Sequence, residues 1–89
     1  MFTLHLKHFE GTQGLDFQVE DSDVLSSNSG FWVSVKRNSV PYSILDSYFK
    51  SREHSNAATM FNTQGNTVWV FISVECINFV EGNQMPKAI

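Results

Sequence analysis

Apolar and polar residues alternate along most of the chain, which is the pattern of β-strands with one buried face. The first such stretch covers residues 2–9, and the second covers residues 15–20. Between them, residues 11–14 hold Gly11 and Gly14, which are permissive in tight turns. The pattern therefore predicts an N-terminal hairpin of two antiparallel strands.

The next stretch predicts a loop, a strand and a helix. Residues 21–30 are rich in Ser, Asn and Asp and predict a loop. Residues 31–36 alternate again and predict a third strand. Pro41 suits a first helical turn. Apolar residues then follow at helical spacing as far as Phe49, so we expect a helix over residues 41–54. Its apolar face is Ile44, Leu45, Tyr48 and Phe49.

The C-terminal third begins with a second predicted hairpin, over residues 59–70, around a turn at 63–66. Residues 57–62 fit either a helix or a strand. Residues 68–74 are apolar on both faces, which is typical of a central strand. The apolar phase then shifts, and this predicts a bulge or tight bend at Glu75 and Cys76. Ile77 and Phe79 are expected to resume the core.

These elements predict an α+β fold, in which a small and mainly antiparallel sheet of order β-β-β-α-β-β carries one packed helix. A five-stranded barrel of the OB type has the same element order and is the alternative. Residues 1–82 are expected to form a single domain, and residues 83–89 a flexible tail. The expected core face is Phe2, Leu4, Leu6, Leu15, Phe17, Val19, Phe31, Val33, Val35, Val68, Val70 and Ile72.

Length and composition restrict the class of protein. A chain of 89 residues has room for one domain, and its eight Phe and two Trp can supply a dense core. One cysteine cannot form an internal disulfide, there is no signal-peptide pattern, and the longest apolar run is too short to span a bilayer. These features predict a cytoplasmic protein without membrane contact.

Charge is distributed unevenly along the sequence. Residues 1–30 carry one Lys and five acidic side chains, a net charge of −4, whereas residues 31–54 carry four basic and two acidic side chains, a net charge of +2. One interpretation is a solvated surface of mixed sign. The other is an acidic patch opposite a basic one, and the sequence leaves open whether the acidic part mimics nucleic acid.

The candidate chemical groups do not form a catalytic or metal-binding pattern. On a strand, His5 and His8 point to opposite faces, and His8 with Glu10 lacks a third ligand. The acidic run at residues 20–23 lacks the spacing of a calcium loop. Cys76 lies in a mainly apolar stretch beside Ile77, which predicts a buried, inert thiol. Because no catalytic motif occurs, we expect no enzymatic activity, no metal and no cofactor.

The second face of the predicted strands is the most informative feature. It collects Trp32, Trp69 and Phe71, together with His5 and Phe9. One interpretation is that the helix and the curvature of the sheet bury these residues, with Trp32 as core under the helix. The other is that part of an aromatic face stays exposed and binds a partner.

The expected function is therefore protein binding, as an inhibitor or adaptor of the kind that phages and mobile elements encode. The low charged fraction also favours self-association into a homodimer. The predicted site combines one aromatic anchor with nearby cations: Trp32, Lys36, Arg37, Lys50 and Arg52. The alternative is a single-stranded nucleic-acid-binding domain, in which aromatics stack on bases and the cations meet phosphates. A sequence pI of about 5.4 makes nucleic acid the weaker alternative.

Overall fold

The computed structural model describes residues 1–9, 13–50, 60–82 and 86–89. Within these ranges the chain forms eight strands and one α-helix. Two short 3-10 turns, Asp21–Asp23 and Val74–Cys76, also occur. In chain order the elements are β1 (Phe2–Leu6), β2 (Leu15–Val19), β3 (Val24–Ser27), β4 (Gly30–Lys36), α1 (Val40–Lys50), β5 (Met60–Gln64), β6 (Thr67–Ser73), β7 (Ile77–Gly82) and β8 (Lys87–Ala88).

The strands form two sheets, so the fold is α+β with one described helix but differs from the predicted element order. One sheet has three strands in the order β2-β1-β7, and the other has five strands in the order β5-β6-β4-β3-β8. Four strands rather than three precede α1. The described strands close no barrel, which excludes the OB-type alternative for this part of the chain. The α+β class agrees with the prediction, but the predicted element order was wrong because residues 24–27 form a strand where their polar composition predicted a loop.

One hydrophobic core joins the two sheets and the helix. In the three-stranded sheet Phe2 lies opposite Val19 and Leu4 opposite Phe17, and all four are buried. The facing residues of β4 and β6 and the helix residues Leu45, Tyr48 and Phe49 belong to the same cluster. Every residue of the predicted core face lies in this cluster or packs against it, which confirms that part of the sequence prediction.

The predicted loop at residues 21–30 contains a strand. Val24–Ser27 pairs antiparallel with β4, and a two-residue connection, Asn28 and Ser29, joins them. The serine-rich composition conceals this strand because only Val24 is fully buried in it. The hydroxyl groups of Ser26 and Ser27 donate hydrogen bonds to nearby main-chain carbonyls.

The phase shift near Cys76 marks the point where the chain leaves one sheet for the other. β6 lies in the five-stranded sheet, the 3-10 turn Val74–Cys76 follows, and β7 lies in the three-stranded sheet. The predicted tight bend is thus present. Ile77 packs against the core as expected, but Phe79 is 52% exposed, which corrects its assignment to the core. Phe79 pairs with His5 on the outward side of β1.

The helix begins at a serine cap. The hydroxyl of Ser39 accepts a hydrogen bond from the N–H of Tyr42 at 3.2 Å, and the N–H of Ser43 donates to the carbonyl of Ser39. Pro41 then lies in the first turn, where its missing N–H costs nothing. The predicted end of the helix falls beyond Lys50, outside the described residues. At 11 residues α1 is too short to cross a bilayer, and no described helix combines the length and apolar character that crossing requires.

The second predicted hairpin is confirmed. β5 and β6 pair antiparallel, with Gln64 opposite Thr67, and Gly65 in the connecting turn has a φ of 62°. This left-handed conformation suits glycine. Of the ambiguous residues 57–62, those from 60 onward are strand, and the earlier ones lie outside the described residues.

The described residues of the predicted C-terminal tail lie beside β3. Residues 83–85 are outside the described ranges, but Lys87–Ala88 pairs with β3 in the one parallel pair of described strands. The N–H of Ile89 donates to the carbonyl of Ser26 at 3.0 Å, and Pro86 is buried. Main-chain hydrogen bonding and burial of Pro86 therefore hold this segment against β3, although its side chains show no strand periodicity.

Candidate functional site

The outward side of the five-stranded sheet carries a row of aromatic residues. Trp32 lies opposite Phe71, and Ser34 lies opposite Trp69, so both tryptophans and Phe71 point away from the core. Leu25, opposite Trp32 on the next strand, belongs to the same side. All four side chains are half-buried. We call these four residues, Leu25, Trp32, Trp69 and Phe71, the aromatic face.

Close packing at a glycine positions the centre of this face. A Cβ atom at Gly30 would lie 2.7 Å from the ring of Phe71 and closer still to the carbonyl of Ile72. The ring of Phe71 therefore lies directly over the glycine. It also meets Trp32, with ring centroids 4.9 Å apart and ring planes at 53°. This tilted contact is a favourable geometry for two aromatic rings.

The aromatic face has cations at its border. Lys36 follows Trp32 and Ser34 on the outward side of β4, and Lys87 lies opposite Leu25. Both lysines are exposed. Apart from Lys36, the outward positions of β3, β4 and β6 hold Ser, Thr, Gly and apolar residues, and none of them holds a carboxylate. This side of the described sheet is therefore apolar with a positive border.

Some of the predicted site residues lie on the same side of the sheet, and others lie elsewhere in the fold. Trp32 and Lys36 share the outward side of β4, as their spacing predicts. Arg37 is exposed in the turn after β4, where its N–H donates to the carbonyl of Asn66 at 2.6 Å. Lys50 lies at the end of α1, and Arg52 lies outside the described residues. Trp32 is outward-facing and separate from the core cluster, which corrects the interpretation that it is core under the helix.

Lys50 is already paired within its own helix. Its Nζ lies 3.0 Å from a carboxylate oxygen of Asp46, one turn earlier. The hydrogen bond that Lys50 donates to Asp46, and next the negative charge of Asp46, raise the pKa of Lys50 above its ordinary value. Lys50 is exposed and Asp46 is half-buried. The pair is neutral as a unit, so Lys50 has less charge to offer a partner than Lys36 has.

His5 does not belong to the aromatic face, contrary to the sequence interpretation. It lies on the outward side of the three-stranded sheet, with its Nδ1 2.7 Å from Asp16 and its Nε2 3.8 Å from Glu81. Its ring stacks on Phe79 at 3.9 Å. No three described His, Cys, Asp or Glu residues are arranged to hold a metal ion. Phe9, the other expected member, packs against the core.

Cys76 and the acidic residues 21–23 contribute to the fold. Cys76 is fully buried, and the N–H of Lys7 donates to its carbonyl at 2.8 Å. Asp21 pairs with the amino group of Met1, and Asp21–Asp23 is a 3-10 turn that leads into β3. Neither feature brings together groups for catalysis among the described residues.

Comparison with known proteins assigns this chain to no group, because no family model, no curated protein and no solved structure matches it. The geometry is therefore the basis for interpreting the site. Sequence reasoning found Trp32, Trp69 and Phe71 but missed Leu25 and Lys87. No local signal could have revealed these two, because their places depend on the pairing of β3 with β4 and β8.

Proposed function

We propose that this protein is a small non-catalytic binding module, an inhibitor or adaptor, that docks a partner protein on the aromatic face. The observation that carries the proposal is the row of half-buried aromatic residues, Trp32, Phe71 and Trp69, on a sheet side that points away from the core. Tryptophan is among the residues that contribute most to binding at protein interfaces. A folded sheet also holds such side chains rigidly, which reduces the entropy cost of binding.

The charge around the face indicates the chemistry of the partner. Lys36 and Lys87 border an apolar surface whose outward positions on β3, β4 and β6 hold no carboxylate. A partner with an apolar centre and acidic residues at its rim would match this surface. We include a cytoplasmic location in the proposal, because the single cysteine is buried as a free thiol.

The test compares two aromatic substitutions in an affinity capture from the source cell. Trp32→Ala should keep its thermal unfolding midpoint within a few degrees and lose a partner that the parent protein retains. Phe79→Ala is the matched control, because Phe79 is 52% exposed on the outward side of the other sheet. It should retain the partner. Capture by the folded Trp32→Ala variant at the parent level would refute the proposal.

Single-stranded nucleic acid is a second candidate, and the border of Lys36 and Lys87 favours it. Aromatic side chains on a sheet can stack on bases, while cations meet the phosphates. A titration with a fluorescent oligonucleotide at increasing salt separates the two candidates. Phosphate-driven binding should weaken steeply with salt, whereas an apolar protein interface should weaken little.

A further inference from the structure

The outward side of the three-stranded sheet carries an exposed aromatic ring near two carboxylates. Phe79 on β7 is 52% exposed, and its ring stacks on that of His5 on β1, with centroids 3.9 Å apart. Asp16, which is exposed, lies opposite His5 on β2. Glu81, also exposed, lies two residues beyond Phe79 on the same side of β7. We call these three residues, Phe79, Asp16 and Glu81, the acidic face.

The acidic face has a net negative charge. Among the described residues, neither Asp16 nor Glu81 pairs with a lysine or an arginine. Their basic neighbour is His5, whose Nδ1 lies 2.7 Å from Asp16 and whose Nε2 lies 3.8 Å from Glu81. Glu20 and Lys7, just beyond the ends of β2 and β1, add one charge of each sign. This side of the sheet therefore stays negative even when His5 carries a proton.

The acidic face and the aromatic face have opposite charges around an aromatic centre. Lys36 and Lys87 border the aromatic face, and neither pairs with a carboxylate among the described residues. Lys87 lies two strands from Trp32, which is about 10 Å at the usual strand spacing. Asp16 also lies two strands from Phe79 and is therefore at a similar distance from it. Because both sheets turn their outward sides away from one shared core, the two faces do not overlap.

We propose that a second copy of this chain docks on the aromatic face through its own acidic face. Phe79 of the second copy packs against Trp32 and Phe71. The carboxylates of the second copy meet the two lysines at the border. Contact between two like faces would bring like charges together, so the head-to-tail arrangement is favoured. A chain in which only 17% of the residues are charged also has little self-repulsion to oppose the contact.

The inference rests on the proposed function, since it names an occupant for the aromatic face. In a head-to-tail contact each copy keeps one face open, so further copies can add. Each face offers few apolar side chains, which predicts a small interface and a dissociation constant of about 100 µM.

Sedimentation equilibrium of the full chain tests the self-association at concentrations from about 10 µM to about 1 mM. The weight-average mass of the parent protein should rise with concentration. It should rise less at high salt, because salt screens the charge pairs. A parent protein that stays monomeric over this range would overturn the proposal.

Two substitutions separate a head-to-tail contact from a symmetric one. Trp32→Ala damages the aromatic face and Phe79→Ala damages the acidic face, so each variant alone should associate about tenfold or more weakly than the parent. An equimolar mixture should form a heterodimer and no larger species, because only one intact face of each kind remains. Val40→Ala is the matched control, since it shortens an exposed apolar side chain on α1, outside both faces. Self-association of Phe79→Ala at the parent level would overturn the proposal.

Charge reversal keeps the test decisive if Trp32→Ala does not fold. The double substitution Lys36→Glu and Lys87→Glu should abolish self-association, and so should Asp16→Lys with Glu81→Lys. A mixture of the two double variants should associate again, because the altered border of one then matches the altered acidic face of the other. A mixture that remains monomeric would overturn the proposal.

Failure of this inference is distinguishable from failure of the proposed function. A monomeric parent protein that still loses a cellular partner in Trp32→Ala would overturn the second copy as occupant and leave the proposed function intact. Self-association and capture that both persist in the folded Trp32→Ala protein would overturn both.

Discussion

At the scale of single residues, Gly30 shows how one small side chain determines a local surface. The ring of Phe71 lies over this glycine, and the carbonyl of Ile72 is closer than a Cβ atom would allow. Gly30 is therefore needed for the close approach of β4 and β6 rather than for an unusual φ. The position of Phe71, and with it that of Trp32, depends on this approach.

Gly30→Ala should lower the free energy of unfolding by about 1–3 kcal/mol, which is the usual cost of inserting a methyl group into a packed site. The measurement is urea denaturation followed by tryptophan fluorescence. Ser34→Ala is the control on the same side of β4 and should change stability by no more than about 0.5 kcal/mol. A fully stable Gly30→Ala protein would show that the strands can separate locally without cost.

The burial of Cys76 predicts that its thiol reacts slowly in the native protein. Its side chain is 0% exposed in the 3-10 turn between the two sheets. We expect a thiol reagent such as DTNB to label the native protein at least about 100-fold more slowly than the urea-unfolded chain. Labelling of the native protein at the unfolded rate would contradict the burial of this turn.

At the scale of elements, the helix cap and the turns have the residues that such structures favour. The local sequence of β3, in contrast, does not indicate a strand. The Ser39 cap and the glycine at φ 62° in the β5–β6 turn are local features that sequence can predict. β3 is a polar strand whose partners are β4 and β8. Its conformation depends on main-chain pairing more than on side-chain pattern.

Ser39→Ala should destabilise the protein by about 0.5–2 kcal/mol, since it removes the side-chain acceptor for the Tyr42 N–H. Thermal unfolding by circular dichroism measures the effect. Ser43→Ala, at an exposed helical position, is the matched control and should be close to neutral. Equal midpoints for both variants would show that the cap contributes nothing measurable.

At the scale of the whole molecule, the two sheets share one core, and the chain crosses from one sheet to the other. β1 supplies Leu4 to the cluster that also holds Val33 and Ile72 of the other sheet. The chain passes from β6 to β7 through a single 3-10 turn. Because each sheet buries its inner face against the same cluster, the two sheets should unfold together.

Leu4→Ala tests this coupling, because Leu4 is fully buried in the three-stranded sheet and both tryptophans lie in the other sheet. The substitution should cost about 2–5 kcal/mol. Tryptophan fluorescence and far-ultraviolet circular dichroism should report the same lowered midpoint. An unchanged fluorescence transition beside a shifted dichroism transition would show that the sheets unfold independently.

The sequence by itself determined the buried face of four strands and where the two hairpins and the helix begin, although it misplaced Phe79 and missed Val24. The inward positions of β1, β2, β4 and β6 follow from alternation, because a strand turns successive side chains to opposite faces. The same rule placed Trp32 and Lys36 on one side of β4, and so part of the candidate site was predictable.

Only the tertiary structure decided which strands share a sheet. The phase shift at Cys76 is visible in the sequence, but a bulge within one sheet and a crossing to a second sheet produce the same local pattern. Pairing between distant segments also placed Leu25 and Lys87 beside Trp32. These outcomes depend on main-chain hydrogen bonds, which are nearly independent of side-chain identity and so leave little trace in the sequence.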